Sequence, residues 1–348
     1  MNLTKKRFIL LLVTILSIVA PSTVRITTEN ASIPKGTIFM NHQQGRLMSK
    51  AHPNAVVIAN HQIYTDWVFL WWLAYVSDLA GSVYIMLKKS LASIPLLGTG
   101  MKNYNFIFMN RKWDQDKINL ANKLDEMDLN ARGVGRINGN SPISGTEQGK
   151  YVWDESKVQN TDNKWPYWFI LFPEGTNLSA GTRAKNKEFA EKSGLSSFQH
   201  VLLPRTTGLQ FCLQKLQKSC DFVYDVTIAY SGVKANEYGQ DIYRLGNILL
   251  KGKAPKLVDI YVRAIKLEDI PLYDNDKFHD WLFQVWKEKD ELLDKYYKTE
   301  SFQLDPELNY SVTGPCKVSI LSVASILLFP VLTLLPILYL LSKKVGVF

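Results

Sequence analysis

The sequence predicts an α/β protein in which a mixed sheet is flanked by helices, with a hydrophobic, membrane-associated segment at each end. The central part, about residues 33–310, alternates short apolar runs with amphipathic stretches, a pattern typical of layered α/β domains. Both ends of the chain carry long uncharged apolar runs. The 348 residues suffice for a packed core that needs neither disulfides nor a structural metal.

Apolar runs of strand length and amphipathic stretches of helix length follow one another through the central part. The predicted strands are 54–59, 104–109, 167–172, 222–229 and 257–263. The predicted helices are 114–130, 184–193, 206–218 and 277–298. The last helix carries an apolar stripe at three- and four-residue spacing, which we interpret as core packing. Residues 133–163, rich in Gly, Ser, Asn and charge, predict a mobile surface insertion.

The hydrophobic ends divide the chain into an N-terminal membrane-associating segment (1–32), a central domain (33–310) and a C-terminal membrane anchor (311–348). Residues 8–20 are uncharged, follow three basic residues and are too short to span a bilayer. They are consistent with a cleaved signal peptide, but Pro21 directly after the expected cleavage point favours a retained anchor lying in the membrane interface.

The C-terminal run 318–341 is uncharged and long enough to span a membrane. Pro330 and Pro336 would kink or break a helix there. We therefore expect a hairpin or a sharply kinked single span, with both ends of a hairpin in the cytosol. A buried helix of a soluble protein is the alternative.

The chain has 41 Lys and Arg against 32 Asp and Glu, a formal net charge of +9, which indicates an anionic partner. The basic residues do not form a stripe interleaved with aromatic side chains, so no nucleic acid is expected as that partner. The cysteines at 212, 220 and 316 form no CxxC pair. They indicate neither a disulfide framework nor a zinc site, and no metal is expected.

A polar cluster, Asn60-His61-Gln62-Ile63-Tyr64-Thr65-Asp66, follows the first predicted strand. Histidine is the commonest general base, and Asp66 could accept the other ring N–H of His61 and fix its tautomer. Residues five apart do not face each other on a helix. The pair can meet only if His61 lies in a turn and Asp66 lies in the first turn of the next helix. An ordinary turn with a capping Asp is the alternative.

Two further sites each contain a residue that ends an apolar run. Arg111 follows the second predicted strand, where it could hold a phosphate through two parallel hydrogen bonds or simply bridge at the surface. Pro204 stops the run Val201-Leu202-Leu203 and is followed by Arg205. Taken alone, this last site is most simply structural.

The sequence Phe172-Pro173-Glu174-Gly175-Thr176-Asn177 follows the third predicted strand. Gly175 permits a tight turn that comes close to a ligand, while Glu174 and Thr176 add a carboxylate and a hydroxyl. Taken alone, the motif is also consistent with an ordinary tight turn.

In their order and spacing the four sites resemble the sequence blocks of the glycerolipid acyltransferases of the 1-acylglycerol-phosphate type. The blocks are NHxxxxD, here Asn60–Asp66; an aromatic–apolar run ending in Arg, here Phe108–Arg111; FPEGT, here Phe172–Thr176; and an apolar run ending in Pro, here Val201–Pro204. The stretches RKWDQDK, FAEKSGL, LPRTTGL, YDVTIAY and WKEKDELLDKYY resemble the lysocardiolipin and lysophosphatidylinositol acyltransferase branch, including its fungal members. The resemblance covers about residues 50–300, and the insertion 133–163 departs from the animal members.

This resemblance implies a layered acyltransferase domain that transfers an acyl chain from acyl-CoA to the free glycerol hydroxyl of a lysophospholipid. His61 would be the general base and Asp66 its orienting acid. The implied substrate-binding residues are Asn60, Arg111, Glu174, Gly175, Thr176 and Pro204. Because the thioester is already activated, acyl-CoA serves as a co-substrate and no metal or other cofactor is implied.

The favoured acceptor is lysophosphatidylinositol, and the alternative within the enzyme class is 1-acylglycerol-3-phosphate, which would give phosphatidic acid. A lipid hydrolase and an inactive lipid-binding membrane protein are alternatives of other classes, although the sequence has no GxSxG motif for a nucleophilic serine. The expected location is the endoplasmic reticulum membrane, with the lipid-droplet monolayer as a second site.

Overall fold

A computed structural model describes residues 2–95, 97–145, 149–158, 165–303, 305–324, 326, 328 and 334–336. The strands are β1 (Thr23–Glu29), β2 (Ile38–Asn41), β3 (Arg46–Ser49), β4 (Asn54–Ala59), β5 (Val83–Lys88), β6 (Ile107–Met109), β7 (Ser144–Gly145), β8 (Tyr151–Val152), β9 (Tyr167–Leu171), β10 (Phe222–Tyr230), β11 (Leu257–Lys266) and β12 (Asn309–Pro315). The helices are α1 (Asn2–Val19), α2 (Asp66–Val76), α3 (Leu97–Asn103), α4 (Trp113–Ala131), α5 (Ala180–Lys192), α6 (Thr206–Leu216), α7 (Gly239–Ile242), α8 (Leu245–Lys251) and α9 (Asn275–Thr299).

The main sheet has eight strands in the order β12-β1-β11-β10-β4-β9-β5-β6. Strands β10, β4, β9, β5 and β6 run parallel, whereas β11 is antiparallel to β10 and β12 is antiparallel to β1. The predicted mixed sheet with flanking helices is therefore confirmed. Every residue of β4 and β9 is buried, as expected for parallel strands covered on both faces.

Alternating side chains of the central strands supply two apolar layers. Ala55, Val57 and Ala59 of β4 pack with α1 and α2 on one face of the sheet. Val56 and Ile58 pack with α4, α6 and α9 on the other face. This division follows from the two-residue period of a strand. It also confirms that the apolar stripe of α9 is core packing.

Three strands of the main sheet were absent from the sequence prediction. β1 and β12 are polar edge-side strands, TVRITTE and NYSVTGP, without the apolar run used to recognise strands. β5 follows the hydrophobic helix α2 after six residues, and its short run VYIMLK was not recognised as a separate strand. Because β1 and β12 pair with each other, the sheet extends on both sides beyond the 33–310 range expected for the central domain.

The second predicted strand is shorter than expected. Residues 104–109 were predicted to be extended, but β6 covers only Ile107–Met109. Asn105 adopts a left-handed φ of 56° in the turn that joins α3 to this strand, so the apolar run begins before the extended backbone does.

Helix α1 packs against the body of the protein. Ile9, Leu10 and Val13 are buried in the same apolar layer as α2. The buried ammonium group of Lys5 donates a hydrogen bond to the Val83 carbonyl oxygen at 2.9 Å. Among the described residues, no helix combines the length and the apolar character needed to cross a membrane.

Two sequence-based expectations fall partly on residues outside the described ones. Of the insertion 133–163, residues 146–148 and 159–163 are outside, and the described part contains the short hairpin of β7 and β8. Of the anchor 318–341, residues 325, 327, 329–333 and 337–341 are outside, so the expected hairpin or kink is not described.

All three cysteines are free thiols.

Candidate active site

The carboxyl ends of three neighbouring parallel strands bring the first and third sequence blocks together. β4 pairs in parallel with β9 on one side and with β10 on the other. Asn60 follows β4, Phe172 follows β9, and Tyr230 is the last residue of β10. Because parallel strands end at the same edge of a sheet, these segments form one cluster, in the position where open α/β sheets commonly bind ligands.

His61 and Asp66 are in direct contact. His61 Nδ1 lies 2.8 Å from Asp66 Oδ2, with the imidazole one-fifth exposed and the carboxylate fully buried. His61 lies in the turn after β4, and Asp66 is the first residue of α2. This confirms the placement that the five-residue spacing required. The imidazole also stacks on the Phe172 ring at 4.4 Å between centroids, which fixes the plane of the imidazole.

Asp66 is the centre of a dense hydrogen-bond network. Its Oδ2 also accepts the backbone N–H groups of Gln62 at 2.7 Å and Ile63 at 3.1 Å, which closes the loop around the carboxylate. Its Oδ1 accepts a hydrogen bond from the Tyr230 hydroxyl. Tyr230 was missed by sequence reasoning, which used YDVTIAY only as a branch resemblance. Tyr230 directly follows the predicted strand 222–229, and this position at a strand end could have marked it as a candidate site residue.

Asn60 joins the active-site loop to the neighbouring strand. Its side-chain Nδ2 donates to the Ile228 carbonyl oxygen at 3.0 Å, and its Oδ1 accepts from the Ile228 N–H at 2.8 Å. The buried amide therefore pairs the end of β4 to β10, where the backbone of β4 turns away. The expectation that Asn60 binds substrate stays a prediction.

Glu174 lies inside the protein behind His61. One carboxyl oxygen accepts the His61 backbone N–H at 3.3 Å, while the other has no hydrogen-bond partner among the described residues. Burial raises the pKa of Glu174 well above its ordinary value, an effect that exceeds the opposing one of the nearby backbone N–H groups and Lys289. The observed contact supports the catalytic loop, and a direct contact with acceptor stays a prediction.

The turn after Glu174 lies beside the fourth block. Gly175 has a left-handed φ of 71°, and a Cβ there would lie 3.3 Å from Arg205 Nε. The Arg205 N–H donates to the Pro173 carbonyl oxygen at 2.9 Å, so the third and fourth blocks are joined through their backbones. Pro204 is buried, and Thr176 is half-buried at the end of the turn.

Arg111 approaches the same region from β6. It has a left-handed φ of 65°, and the Asp116 carboxylate holds its loop by accepting the N–H groups of Asn110 at 2.9 Å and Lys112 at 3.2 Å. Partial burial and then the positive charge of Arg205 lower the pKa of Arg111. The Arg111 and Arg205 side chains are both exposed, and a guanidinium group can bind an anion through two parallel hydrogen bonds. Sequence reasoning identified Arg111 but gave Arg205 no role.

A histidine oriented by a buried carboxylate lies at the end of the parallel sheet, and the neighbouring third block contacts Arg205. Such a site can combine a general base with the binding of an anionic substrate. Within the described part of the chain, no group of three or more His, Cys, Asp and Glu side chains is placed to hold a metal ion.

Comparison with known proteins identifies the family. The Acyltransferase family model matches residues 40–231, and the Acyltransferase C-terminus model matches residues 248–326. The chain belongs to the acyltransferase family, and it is an acyltransferase of the fungal type. The match contains all four sequence blocks, which confirms the resemblance found in the sequence.

The chain is similar over most of its length to several acyltransferases. The chain is 54% identical over 339 residues to the 2-acyl-1-lysophosphatidylinositol acyltransferase of Saccharomyces cerevisiae, covering 97% of this chain and 85% of that protein. It is 43% identical over 304 residues to an uncharacterized acyltransferase of the same yeast, covering 87% and 72%. It is 32% identical over 265 residues to lysocardiolipin acyltransferase 1 of Gallus gallus, covering 76% of this chain and 58% of that protein.

Proposed function

We propose that this acyltransferase transfers a fatty-acyl group from acyl-CoA to the free glycerol hydroxyl of lysophosphatidylinositol. The observation that carries the proposal is the His61–Asp66 pair, at 2.8 Å, in a chain 54% identical to a yeast 2-acyl-1-lysophosphatidylinositol acyltransferase. The aligned region covers 97% of the chain, so it includes all four blocks and the helices that support them.

In the proposed reaction His61 is the general base. Because Nδ1 faces the Asp66 carboxylate, the ring proton stays on Nδ1, and Nε2 carries the lone pair. Nε2 takes the proton of the acceptor hydroxyl while the hydroxyl oxygen bonds to the thioester carbonyl carbon. The carbon–sulfur bond then breaks, and the imidazolium returns its proton to the departing CoA sulfur.

Arg111 and Arg205 are the proposed ligands of the acceptor's phosphate. Each guanidinium can form two parallel hydrogen bonds to phosphate oxygens, and the proximity of the two like charges favours an anion between them. The Gly175–Thr176 turn lies against Arg205, so the phosphate would be held next to the third block. No further cofactor is required, because acyl-CoA arrives activated.

An acceptor panel tests this function. Membranes containing the protein are offered labelled acyl-CoA with lysophosphatidylinositol, lysophosphatidic acid and other lysophospholipids, one at a time. We expect the label to appear fastest in phosphatidylinositol. Faster labelling of phosphatidic acid would replace the proposed acceptor by 1-acylglycerol-3-phosphate. Release of labelled fatty acid without any acyl-lipid product would contradict acyl transfer and indicate a hydrolase.

We also propose that the protein resides in the endoplasmic reticulum membrane and moves to lipid-droplet monolayers. The support is the uncharged run 318–341, whose prolines favour a hairpin with a cytosolic C-terminus. A glycosylation acceptor fused after Phe348 tests the topology, since a hairpin leaves it unmodified. Glycosylation of that site would place the C-terminus in the lumen and contradict the hairpin.

A further inference from the structure

Helices α1 and α8 expose apolar side chains that the fold does not cover. In α1 these side chains follow three- and four-residue spacing, on the side opposite the buried ones. In α8, Ile248 is buried and its leucine neighbours face outward. Ile18 is 76% exposed and Leu250 is 87% exposed. The exposed side chains, here called the α1–α8 surface, are Leu11, Ile15, Ile18, Leu245, Leu249 and Leu250.

The two helices form one continuous surface. Gly252 directly follows α8, and a Cβ at this position would lie 2.6 Å from the Val19 carbonyl oxygen at the end of α1. Ile248 of α8 enters the apolar layer that also contains the buried side of α1. The exposed leucines of α8 therefore continue the exposed stripe of α1.

This surface lies next to the catalytic loop. Helix α7 precedes α8 by two residues and lies against that loop, since a Cβ at Gly239 would be 2.9 Å from Ile63 Cγ2. Gln240 of α7 accepts a hydrogen bond from the Asn177 side chain, which follows the third block. Tyr64, three residues after His61 in the chain, is itself 54% exposed. Helix α7 thus joins the catalytic loop to the start of the α1–α8 surface.

The charge around α8 identifies the kind of partner. Residues 242–258 contain four basic residues and no Asp or Glu. Lys251, Lys253 and Lys256 are exposed beside the apolar side chains of α8. Apolar side chains bordered by cations are typical of protein surfaces that bind anionic membranes. Two copies of the chain in contact through this surface would bring like charges together.

We propose that the α1–α8 surface lies on a lipid surface that carries anionic headgroups. Leu249 and Leu250 enter the boundary between headgroups and acyl chains, while Lys251 and Lys253 lie at headgroup level. In this orientation the loop that carries His61 is at the interface, so a lysophospholipid acceptor reaches the base without leaving the membrane. The inference adds α8 to the membrane contact expected of the N-terminal segment, and it builds on the proposed use of a lipid acceptor.

A fluorescent label at residue 250 tests the proposal without requiring turnover. Leu250→Cys in a Cys316→Ser background carries an environment-sensitive dye, and the full-length protein is added to vesicles of phosphatidylcholine and phosphatidylinositol. We expect the dye emission to shift to shorter wavelength and to be quenched by spin-labelled lipid. Tyr273→Cys is the control, since Tyr273 is 74% exposed and contacts Gln217 behind α6, on the other face of the sheet.

Reversing the charge of Lys251 and Lys253 to Glu should reduce quenching at residue 250, because each cation near an anionic surface contributes about a fivefold effect on binding. A dye at 250 that stays in water while the protein floats with the vesicles would overturn the proposal. A dye at residue 250 that is shielded from water without vesicles, increasingly so at higher protein concentration, would show that a second copy of the chain covers the surface. That result would also overturn the proposal. Normal quenching at residue 250 in a protein that does not acylate lysophosphatidylinositol in the acceptor panel would instead contradict the proposed function and leave the lipid contact standing.

Discussion

The hydroxyl of Tyr230 donates a hydrogen bond to Oδ1 of Asp66, the carboxylate whose other oxygen faces His61. Burial, and then the negative charge of Asp66, raise the pKa of Tyr230 well above its ordinary value, so the phenol keeps its proton and remains a donor. From the end of β10, Tyr230 therefore holds Asp66 in place, and Asp66 in turn orients His61 in the loop after β4. It acts through Asp66 and is a positioning residue.

Tyr230→Phe should lower kcat by about ten- to hundredfold with little change in KM for acyl-CoA, because a hydrogen bond to a charged group contributes about 1.5–3 kcal/mol. Steady-state kinetics with lysophosphatidylinositol measure the effect. Tyr243→Phe is the matched control, since the Tyr243 hydroxyl donates to the Ser231 carbonyl oxygen at 2.6 Å and does not contact Asp66. Equal losses in the two variants would show that Tyr230 has only a packing role.

His61→Ala should lower turnover by about 10²–10⁴-fold, the usual contribution of a positioned general base. The protein should stay folded, because the buried Asp66 carboxylate keeps the hydrogen bonds from the Gln62 and Ile63 N–H groups and the Tyr230 hydroxyl when the imidazole is removed. The measurement is initial-rate acyl transfer together with a melting curve, and His279→Ala at a half-buried histidine of α9 is the control. Turnover near the wild-type rate in a folded His61→Ala protein would rule out the base.

Arg111→Lys should raise the apparent KM for the lysophospholipid by about tenfold, because lysine keeps the charge but loses the two-pronged hydrogen bonding. Arg205→Lys should have the same effect if both guanidinium groups hold one phosphate. Arg136→Lys, distant in the 3-10 turn after α4, is the control. An increase confined to the KM for acyl-CoA would assign the two arginines to CoA instead of the acceptor.

Glu174→Gln should change how stability depends on pH. Burial raises the pKa of Glu174 above its ordinary value of 4.5. Its neutral form therefore favours folding, and this contribution is fully present below that value and is lost as the pH rises above it. Relative to Glu174→Gln, the free energy of unfolding of the wild type should fall as the pH increases.

Chemical unfolding at a series of pH values measures this difference. Glu188→Gln, at an exposed carboxylate of α5, is the matched control, because its pair with Lys192 is solvent-accessible. Parallel curves for wild type and Glu174→Gln would show that ionising this carboxyl does not oppose folding.

Much of the fold was predictable because the central strands are continuous apolar runs. β4, β9, β10 and β11 were each predicted within three residues of their observed ends, and the long amphipathic helices α4 and α9 within two. Of the main-sheet strands that were missed, β1 and β12 are polar, and β5 follows the hydrophobic helix α2 after six residues. β1 and β12 are held in the sheet by their pairing with distant segments, and a local pattern carries no information about that pairing.

The sequence by itself determined the four blocks, their order, and the condition under which His61 and Asp66 can meet. These are local properties of the chain, since they depend on residue type, spacing and the geometry of one turn. The tertiary structure alone decided that Tyr230 donates to Asp66, that Glu174 is buried behind His61, and that the Arg205 N–H donates to the Pro173 carbonyl oxygen. Each of these contacts joins residues brought together by the parallel order of β10, β4, β9, β5 and β6, and this order is set by packing across the whole sheet.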